Sequence, residues 1–126
     1  MDKSYFLGID VGTQGSRVVL IDADGNIVGS SEETFPLNNQ SREEQSPEGW
    51  WQSCLRSLTI LFAEVKKTID LKNITAVSIT STSGTVIPLD TNHIPLHHAI
   101  MYSDKRSADA GLLCQEMALR YHPDGY

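Results

Sequence analysis

The sequence has few cysteines, no long apolar run and no excess of basic residues, and each absence excludes a class of protein. Two cysteines among 126 residues are too few for a disulfide-rich secreted scaffold. No run of about 20 apolar residues predicts a membrane span, and the first residues do not resemble a secretory leader. Ten basic against 16 acidic residues give a net charge of −6. This balance argues against nucleic-acid or membrane partners and predicts a cytoplasmic protein.

Two common nucleotide-binding motifs are also missing. The sequence contains neither Gly-x-x-x-x-Gly-Lys-Ser/Thr nor Gly-x-Gly-x-x-Gly, which excludes a P-loop and a Rossmann fingerprint. A chain of 126 residues can form one domain with its own core. It is too short for an enzyme in which two domains close around the substrates, so we expect it to supply one side of a site.

The most informative segment present is a strand, a turn and a second strand at the N-terminus. An apolar run ends in Asp10 and returns as a second apolar run after a short polar turn. The turn backbone can direct N–H groups at a phosphate, and the Thr13 hydroxyl adds a donor. The residues predicted to bind phosphate are Gly12, Thr13, Gln14 and Gly15. Because a carboxylate repels a bare phosphate, Asp10 indicates Mg²⁺, bound through water. The alternative is a glycine-containing hairpin with an incidental acid.

Hydrophobic patterns predict alternating strands and helices. Strands are predicted over about residues 4–10, 16–22, 26–34, 74–80 and 86–90, with the fourth strand buried and parallel. A hairpin turn is predicted at Asp24-Gly25. Helices are predicted from the cap Ser46 to about Lys67 and from about 106 to 121, where Pro123 follows.

Both predicted helices carry apolar residues at spacings of three and four. In the first helix these are Trp51, Cys54, Leu55, Leu58, Leu61, Phe62, Val65 and Ile69. In the second helix they are Ala110, Leu113, Cys114, Met117, Ala118 and Tyr121. The spacing predicts core faces, and we expect both cysteines to be buried free thiols.

Three later segments can face a ligand, and each also has a plain structural interpretation. The hydroxyl-rich run 81–85 follows a strand, where open α/β sheets bind ligands, but it can equally be a strand break with a glycine bulge. Tyr102, Asp104 and Arg106 can wall and orient a polyol, or form a loop ion pair and a helix cap. The polar loop 37–45 can reach over a cleft or simply connect two elements.

In this order, the segments resemble the beginning of the FGGY carbohydrate kinases, the family of xylulokinase, ribulokinase and glycerol kinase. The matching segments are Gly8 to Thr13, the Asp24-Gly25 hairpin, Glu44 to Trp51, Thr82 to Thr85 and Tyr102 to Arg106. The similarity spans nearly all of the chain. It implies an α/β, ribonuclease-H-like fold of the actin, Hsp70 and hexokinase type, with a mixed sheet and flanking helices.

The resemblance also implies cofactors and site residues. Asp10 and Thr13 would be the catalytic residues that face the transferred phosphate of ATP and its Mg²⁺. The sugar pocket would be lined by Thr82, Ser83, Gly84, Tyr102 and Asp104. In the family the catalytic base and the adenosine-binding loops belong to later sequence. Residues 1–126 are therefore expected to be the sugar-binding-side N-terminal domain, without the second, nucleotide-binding domain, and to be inactive alone.

The expected substrate follows from the hydroxyl-rich run. Xylulokinases typically have Gln-Met-His-Gly where this chain has Thr82 to Thr85, so the chain is more similar to the ribulokinase side of the family. That branch often has an Asp near Thr80, and many relatives have Trp in place of Tyr102. We expect a ketopentose such as ribulose or xylulose. The alternatives are a truncated domain that binds sugar, nucleotide or a protein partner without turnover, and a relative in which sugar binding regulates. A homo-oligomer is compatible with each of these functions.

Overall fold

A four-stranded mixed sheet organises the chain. The structure is a computed structural model and describes residues 3–122. In chain order the elements are β1 Tyr5–Val11, β2 Gly15–Asp22, β3 Ile27–Thr34, β4 Glu44–Gln45, α1 Pro47–Val65, a short 3₁₀ helix Leu71–Asn73, β5 Ile74–Ser81, β6 Ala99–Ile100 and α2 Ala108–Tyr121. The sheet order is β3-β2-β1-β5, with β1 antiparallel to β2 and parallel to β5. The first three predicted strands are confirmed.

Helix α1 begins where the sequence predicts it. The Ser46 hydroxyl accepts a hydrogen bond from the Gly49 N–H at 3.1 Å, and Pro47 occupies the first helical position. The helix ends at Val65, one or two residues before the predicted end. It packs across β2 and β3, so one face of the sheet is covered at this side.

The core lies between α1 and the covered face of the sheet. Its buried members are Tyr5, Leu7, Val18, Leu20, Leu61 and Val65. Small polar residues complete the contact, because the Ser16 and Ser57 hydroxyls lie 3.1 Å apart and the Ser53 hydroxyl donates to the Glu33 carbonyl oxygen. Serines therefore let the helix approach the sheet closely while every buried hydroxyl has a partner.

Part of the predicted apolar face of α1 lies outside the core. Trp51 and Leu55 are 57% and 37% exposed, so the prediction that both are core residues is wrong. Cys54 is buried as predicted. The sheet extends under only part of the predicted apolar stripe. Trp50 packs instead on Phe35, with ring centroids 6.3 Å apart.

Strand β5 is parallel to β1, as predicted, but it is not buried. Val77 and Ile79 are 56% and 67% exposed. The reason is position: β5 forms an edge of the sheet, whereas α1 crosses β2 and β3. The prediction of a strand over residues 86–90 is also wrong. This segment forms only two isolated β-bridges, from Val86 to Ile100 and from Leu89 to Pro95.

Helix α2 is present but contributes no buried residue. It begins at Ala108, two residues later than predicted, and ends at Tyr121. Its predicted core face is exposed except at the half-buried Ala118, and Cys114 is not the buried thiol that we expected. Pro123, predicted to stop the helix, lies outside the described residues. Between residues 3 and 122, no helix is both long and apolar enough to cross a membrane.

Candidate functional site

The turn between β1 and β2 is held by its carbonyl groups. The Gly12 N–H donates to the Gly15 carbonyl oxygen at 3.0 Å, which closes the turn. The Gln14 carbonyl accepts from the Phe35 N–H at 2.9 Å, and the Thr13 carbonyl accepts from Gln45 Nε2 at 3.0 Å. Since a trans peptide places its N–H opposite its C=O, the Gln14 and Gly15 N–H groups point away from these partners. The Gly12 N–H, predicted to face phosphate, is engaged within the turn.

The two glycines of the turn differ in how much space surrounds them. A Cβ added to Gly15 would overlap the Glu33 carbonyl oxygen and lie 3.1 Å from Thr34 Cα. A Cβ added to Gly12 would lie 3.3 Å from Arg17 Nη1. At Gly15 the turn therefore approaches the backbone of β3 more closely than a larger residue permits, whereas at Gly12 the neighbour is the movable end of an arginine side chain.

Asp10 has a cationic partner that the sequence argument did not anticipate. The β1–β2 register places Arg17 opposite Asp10, and Arg17 Nη1 lies 3.3 Å from Asp10 Oδ2. Arg17 Nε also lies 3.5 Å from Glu32 Oε2. Two carboxylates share one guanidinium, so the formal charge of this group is −1. The Asp10 side chain remains 43% exposed and open to a further cation.

The donor set around Asp10 fits Mg²⁺ in one binding mode. Among residues 3–122, no three His, Cys, Asp or Glu side chains are grouped so as to hold a metal ion. Mg²⁺ is commonly bound by one or two carboxylates together with waters and phosphate oxygens. An exposed Asp10 at the end of β1, with the residual negative charge of its neighbours, suits that mode. Asp10 therefore fits a Mg²⁺ ion that arrives with a nucleotide.

Asp10 faces an open concavity on the uncovered side of the sheet. Its volume is about 640 Å³, and it is lined by Gly8, Ile9, Asp10, Arg17, Val18, Val19, Ser30, Ser31, Glu32, Ser78 and Thr80. Thr80 is the register partner of Asp10 on β5. Charged groups and hydroxyls are thus concentrated on the same side of the sheet as Asp10.

A second cavity joins the turn to Tyr102. Its volume is about 450 Å³, and it is lined by Thr13, Gln14, Leu37, Asn38, Ser41, Arg42, Gln45, Met101, Tyr102 and Ser103. Two candidate groups far apart in sequence, Thr13 and Tyr102, therefore border one space. The polar loop 37–45 forms part of its wall.

The hydroxyl-rich run lies between the turn and Tyr102. Thr82 and Thr85 have hydroxyls 3.3 Å apart, and both line a cavity of about 350 Å³ with Gly12. Gly84 has φ +75°, and a Cβ there would lie 3.2 Å from Tyr102 Cβ. Only glycine fits this conformation without strain at such a close approach. Ser83 is exposed.

Asp104 is engaged by an arginine. Arg106 donates to Asp104 through Nε at 3.0 Å and Nη2 at 2.7 Å, and its Nη1 lies 2.7 Å from Glu44 Oε1. Hydrogen bonds from the Arg106 guanidinium lower the pKa of both Asp104 and Glu44. The Asp104 side chain is only 8% exposed. This arrangement matches the loop ion pair, because both carboxylate oxygens are used within the protein.

Residues 5–120 match the model of the N-terminal domain of the FGGY family of carbohydrate kinases. The chain belongs to this family. Over 110 residues it is 29% identical to a xylulose kinase of Staphylococcus epidermidis, covering 86% of this chain and 22% of that protein. Over 106 residues it is 34% identical to a gluconokinase of Bacillus subtilis, covering 82% of this chain and 20% of that protein. The predicted family is confirmed, and members of this family are ATP-dependent kinases.

A solved FGGY structure confirms the predicted fold. A xylulose kinase from Brucella ovis superposes with a TM-score of 0.79 at 28% identity, covering 93% of this chain and 25% of that one. The fold is therefore the actin and hexokinase type of ATPase fold, with a mixed sheet and flanking helices. The chain spans about a fifth to a quarter of the length of these relatives.

Two residues of this FGGY domain were not found by sequence reasoning. Arg17 could have been found from hairpin pairing, since Asp10 and Arg17 are symmetrically placed about the turn. Gln45 could not, because its hydrogen bond to Thr13 spans 32 positions and depends on how the loop folds back.

Proposed function

We propose that this chain is the N-terminal, sugar-binding-side domain of an ATP-dependent kinase that transfers the γ-phosphate to a small sugar or polyol. The observation that carries the proposal is the cavity shared by the Thr13 turn and Tyr102. Phosphoryl transfer requires the acceptor hydroxyl and the phosphate to be held together in line. A phosphate-binding turn beside an aromatic wall supplies neighbouring places for the two.

Each turn residue then has a role on the phosphate side. The Thr13 hydroxyl and the exposed Gln14 N–H donate to the γ-phosphate, and Gly12 keeps the backbone close. The buried Gly15 shapes the turn instead of binding phosphate, which is the role that the sequence predicted for it. Asp10 would hold a Mg²⁺ ion through water, and the ion would neutralise charge on the phosphate. Arg17 limits the repulsion between Asp10 and Glu32 while the nucleotide is absent.

The sugar side is built from hydroxyls and one aromatic ring. Thr82 and Ser83 present donors and acceptors to a polyol, Gly84 gives access, and the Tyr102 ring walls the site. Asp104 acts through Arg106, whose contact with Glu44 holds this segment against β4.

We propose a ketopentose such as ribulose or xylulose as the acceptor. The hydroxyl-rich run supports an acceptor with several hydroxyl groups, and a xylulose kinase is among the relatives. Gluconate and glycerol, named for other relatives, are the competing acceptors in the test. The cytoplasmic location and any homo-oligomer stay predictions.

A second candidate is binding without turnover. This chain matches about a fifth of the length of its curated relatives, and catalysis of phosphoryl transfer uses groups on both sides of a cleft. In the proposal, the second domain and the catalytic base belong to the remaining length of such proteins. The 126-residue chain alone then binds sugar or nucleotide weakly and releases no ADP above the uncatalysed rate.

The test replaces the matching segment of the Staphylococcus epidermidis xylulose kinase with residues 5–120 of this chain. ADP release is measured with ribulose, xylulose, gluconate and glycerol. We expect Asp10→Ala and Thr13→Ala to lower turnover by about 10²–10³-fold, the cost of removing a preorganised charge-stabilising group. Asp24→Ala, an acid in the other hairpin turn, is the matched control and should leave turnover unchanged.

The outcomes separate the parts of the proposal. Full turnover in Asp10→Ala with an unchanged circular-dichroism spectrum would refute the phosphate-binding role of the turn. Turnover with gluconate or glycerol but with neither pentulose would refute the acceptor assignment alone. A collapsed spectrum in Asp10→Ala would show that Asp10 has a structural role.

A further inference from the structure

The Gln45 side chain makes three hydrogen bonds that leave one orientation for its amide. Its Nε2 donates to the Thr13 carbonyl at 3.0 Å and to the Ser41 carbonyl at 2.9 Å. Its Oε1 accepts from Trp50 Nε1 at 2.8 Å. Carbonyls only accept and the indole N–H only donates, so the flipped amide would lose all three bonds. Gln45 is only 8% exposed, which makes unpaired groups here costly.

These contacts connect the turn to two separate elements. Gln45 lies on β4, which pairs with β6, and Trp50 lies on α1, which is anchored in the core. Phe35 packs on the same indole ring and donates its own N–H to the Gln14 carbonyl. Two neighbouring carbonyls of the turn are therefore held by groups that meet at Trp50.

Holding a carbonyl also fixes the N–H of the same peptide. The Thr13–Gln14 peptide is trans, as no cis bond occurs in residues 3–122, so the Gln14 N–H points opposite the carbonyl that binds Gln45. Gln14 is exposed, and within that range its N–H has no hydrogen-bond partner. Without Gln45, the peptide plane could rotate and turn its carbonyl oxygen toward an incoming phosphate.

We propose that Gln45 is a positioning residue that locks the Thr13–Gln14 peptide plane, so that the Gln14 N–H is presented to a phosphate group. The inference rests on the proposed function for the identity of the ligand. The lock itself is a property of the free chain. Ionised Glu has no donor for the two carbonyls, Asn is one methylene shorter, and Met has the length without the hydrogen bonds. Of these side chains, only Gln satisfies all three partners.

The test uses the full chain labelled with ¹⁵N and the variant Gln45→Met. The ¹H–¹⁵N residual dipolar coupling of Gln14 reports the orientation of its peptide plane, and relaxation reports its order. We expect the order parameter of Gln14 to fall from about 0.85 to below about 0.6 in Gln45→Met. Gln52→Met is the matched control, because Gln52 makes one exposed hydrogen bond to Glu48 and none to the turn. It should leave Gln14 unchanged.

A second variant keeps the test decisive if Gln45→Met does not fold. Trp50→Phe retains an aromatic ring but removes the donor that anchors Gln45, and we expect a smaller loss of order at Gln14. An unchanged coupling and order parameter at Gln14 in a folded Gln45→Met, or in Trp50→Phe if only that variant folds, would overturn the proposal. So would a loss of order spread equally over the chain, since that indicates a purely structural role.

Titration with inorganic phosphate in the presence of MgCl₂ separates this inference from the proposed function. If phosphate shifts the Gln14 amide, Gln45→Met should raise its dissociation constant by about 3- to 10-fold, the equivalent of one hydrogen bond. Equal dissociation constants would overturn the positioning role. If phosphate shifts no amide of the turn in the native chain, the proposed contact between the turn and phosphate is refuted. The proposed role of Gln45 in presenting the Gln14 N–H to phosphate is then refuted as well.

Discussion

Substituting Gly15 with alanine tests how closely the turn must approach strand β3. The added Cβ would overlap the Glu33 carbonyl oxygen and lie 3.1 Å from Thr34 Cα, where ordinary contacts begin at 3.4 Å. Both neighbours are backbone atoms, so no side-chain rotation relieves the overlap. The strands must separate locally, and the hydrogen bond from the Phe35 N–H to the Gln14 carbonyl is lost.

The expected loss of stability in Gly15→Ala is the sum of three contributions. Overpacking costs about 1–3 kcal/mol, and losing the hydrogen bond costs about 1 kcal/mol. Lower entropy of the unfolded chain returns about 0.4–1 kcal/mol. Gly15→Ala should therefore lower the free energy of unfolding by about 1–3 kcal/mol and the Tm by roughly 4–12 °C.

Thermal and urea unfolding, followed by circular dichroism, measure this difference. Gly111→Ala is the matched control, because a Cβ at this position in α2 meets nothing within 4 Å. Alanine in a helix interior should stabilise the chain by about 0.5–1 kcal/mol. A Gly15→Ala protein as stable as the native chain would show that the strands can separate without cost, and the argument from close approach would be wrong.

Two further predictions concern the core and the Arg106 ion pairs. Leu61→Ala, at a fully buried position, should lower the free energy of unfolding by about 2–5 kcal/mol in urea. Ile60→Ala, at a 48% exposed position, should cost far less, and equal losses would contradict the assigned core. Arg106 lowers the pKa of Asp104 and Glu44, so its stabilising effect is present above their ordinary values of 3.8 and 4.5 and is lost as the pH falls below them. Arg106→Met should therefore destabilise the chain at pH 6 more than at pH 3, and an equal effect at both would contradict the ion pairs.

Local features could be predicted from the sequence because their causes are local. The Ser46 cap acts three residues away at Gly49, and the turn at Asp24-Gly25 needs only a glycine at φ +84°. The alternation of apolar residues in the first strands likewise reflects one covered face of the sheet. Such signals can be interpreted without knowing which elements pack against each other in the fold.

The remaining features depend on contacts between distant residues. Asp104 was open to two interpretations because its role depends on Arg106, which also contacts Glu44, far away in the sequence. The apolar spacing of β5 and α2 indicates which side chains could be buried, but burial requires a covering element. Tyr102 and Thr13 share a cavity because the loop 37–45 contacts both segments, through Gln45 to the Thr13 carbonyl and through the Glu43 carbonyl to the Met101 N–H.

The open edge of β5 has a consequence for the chain in solution. The segment Ile74–Ser81 contains no charged residue and no proline, and its Val77 and Ile79 side chains are largely exposed. Proteins commonly protect edge strands with lysines, prolines or bulges, because an unprotected edge can pair with a strand of another molecule. An uncharged, β-branched edge is also the composition that favours aggregation. Isolated copies of this chain should therefore associate increasingly as their concentration rises, through strand addition at β5.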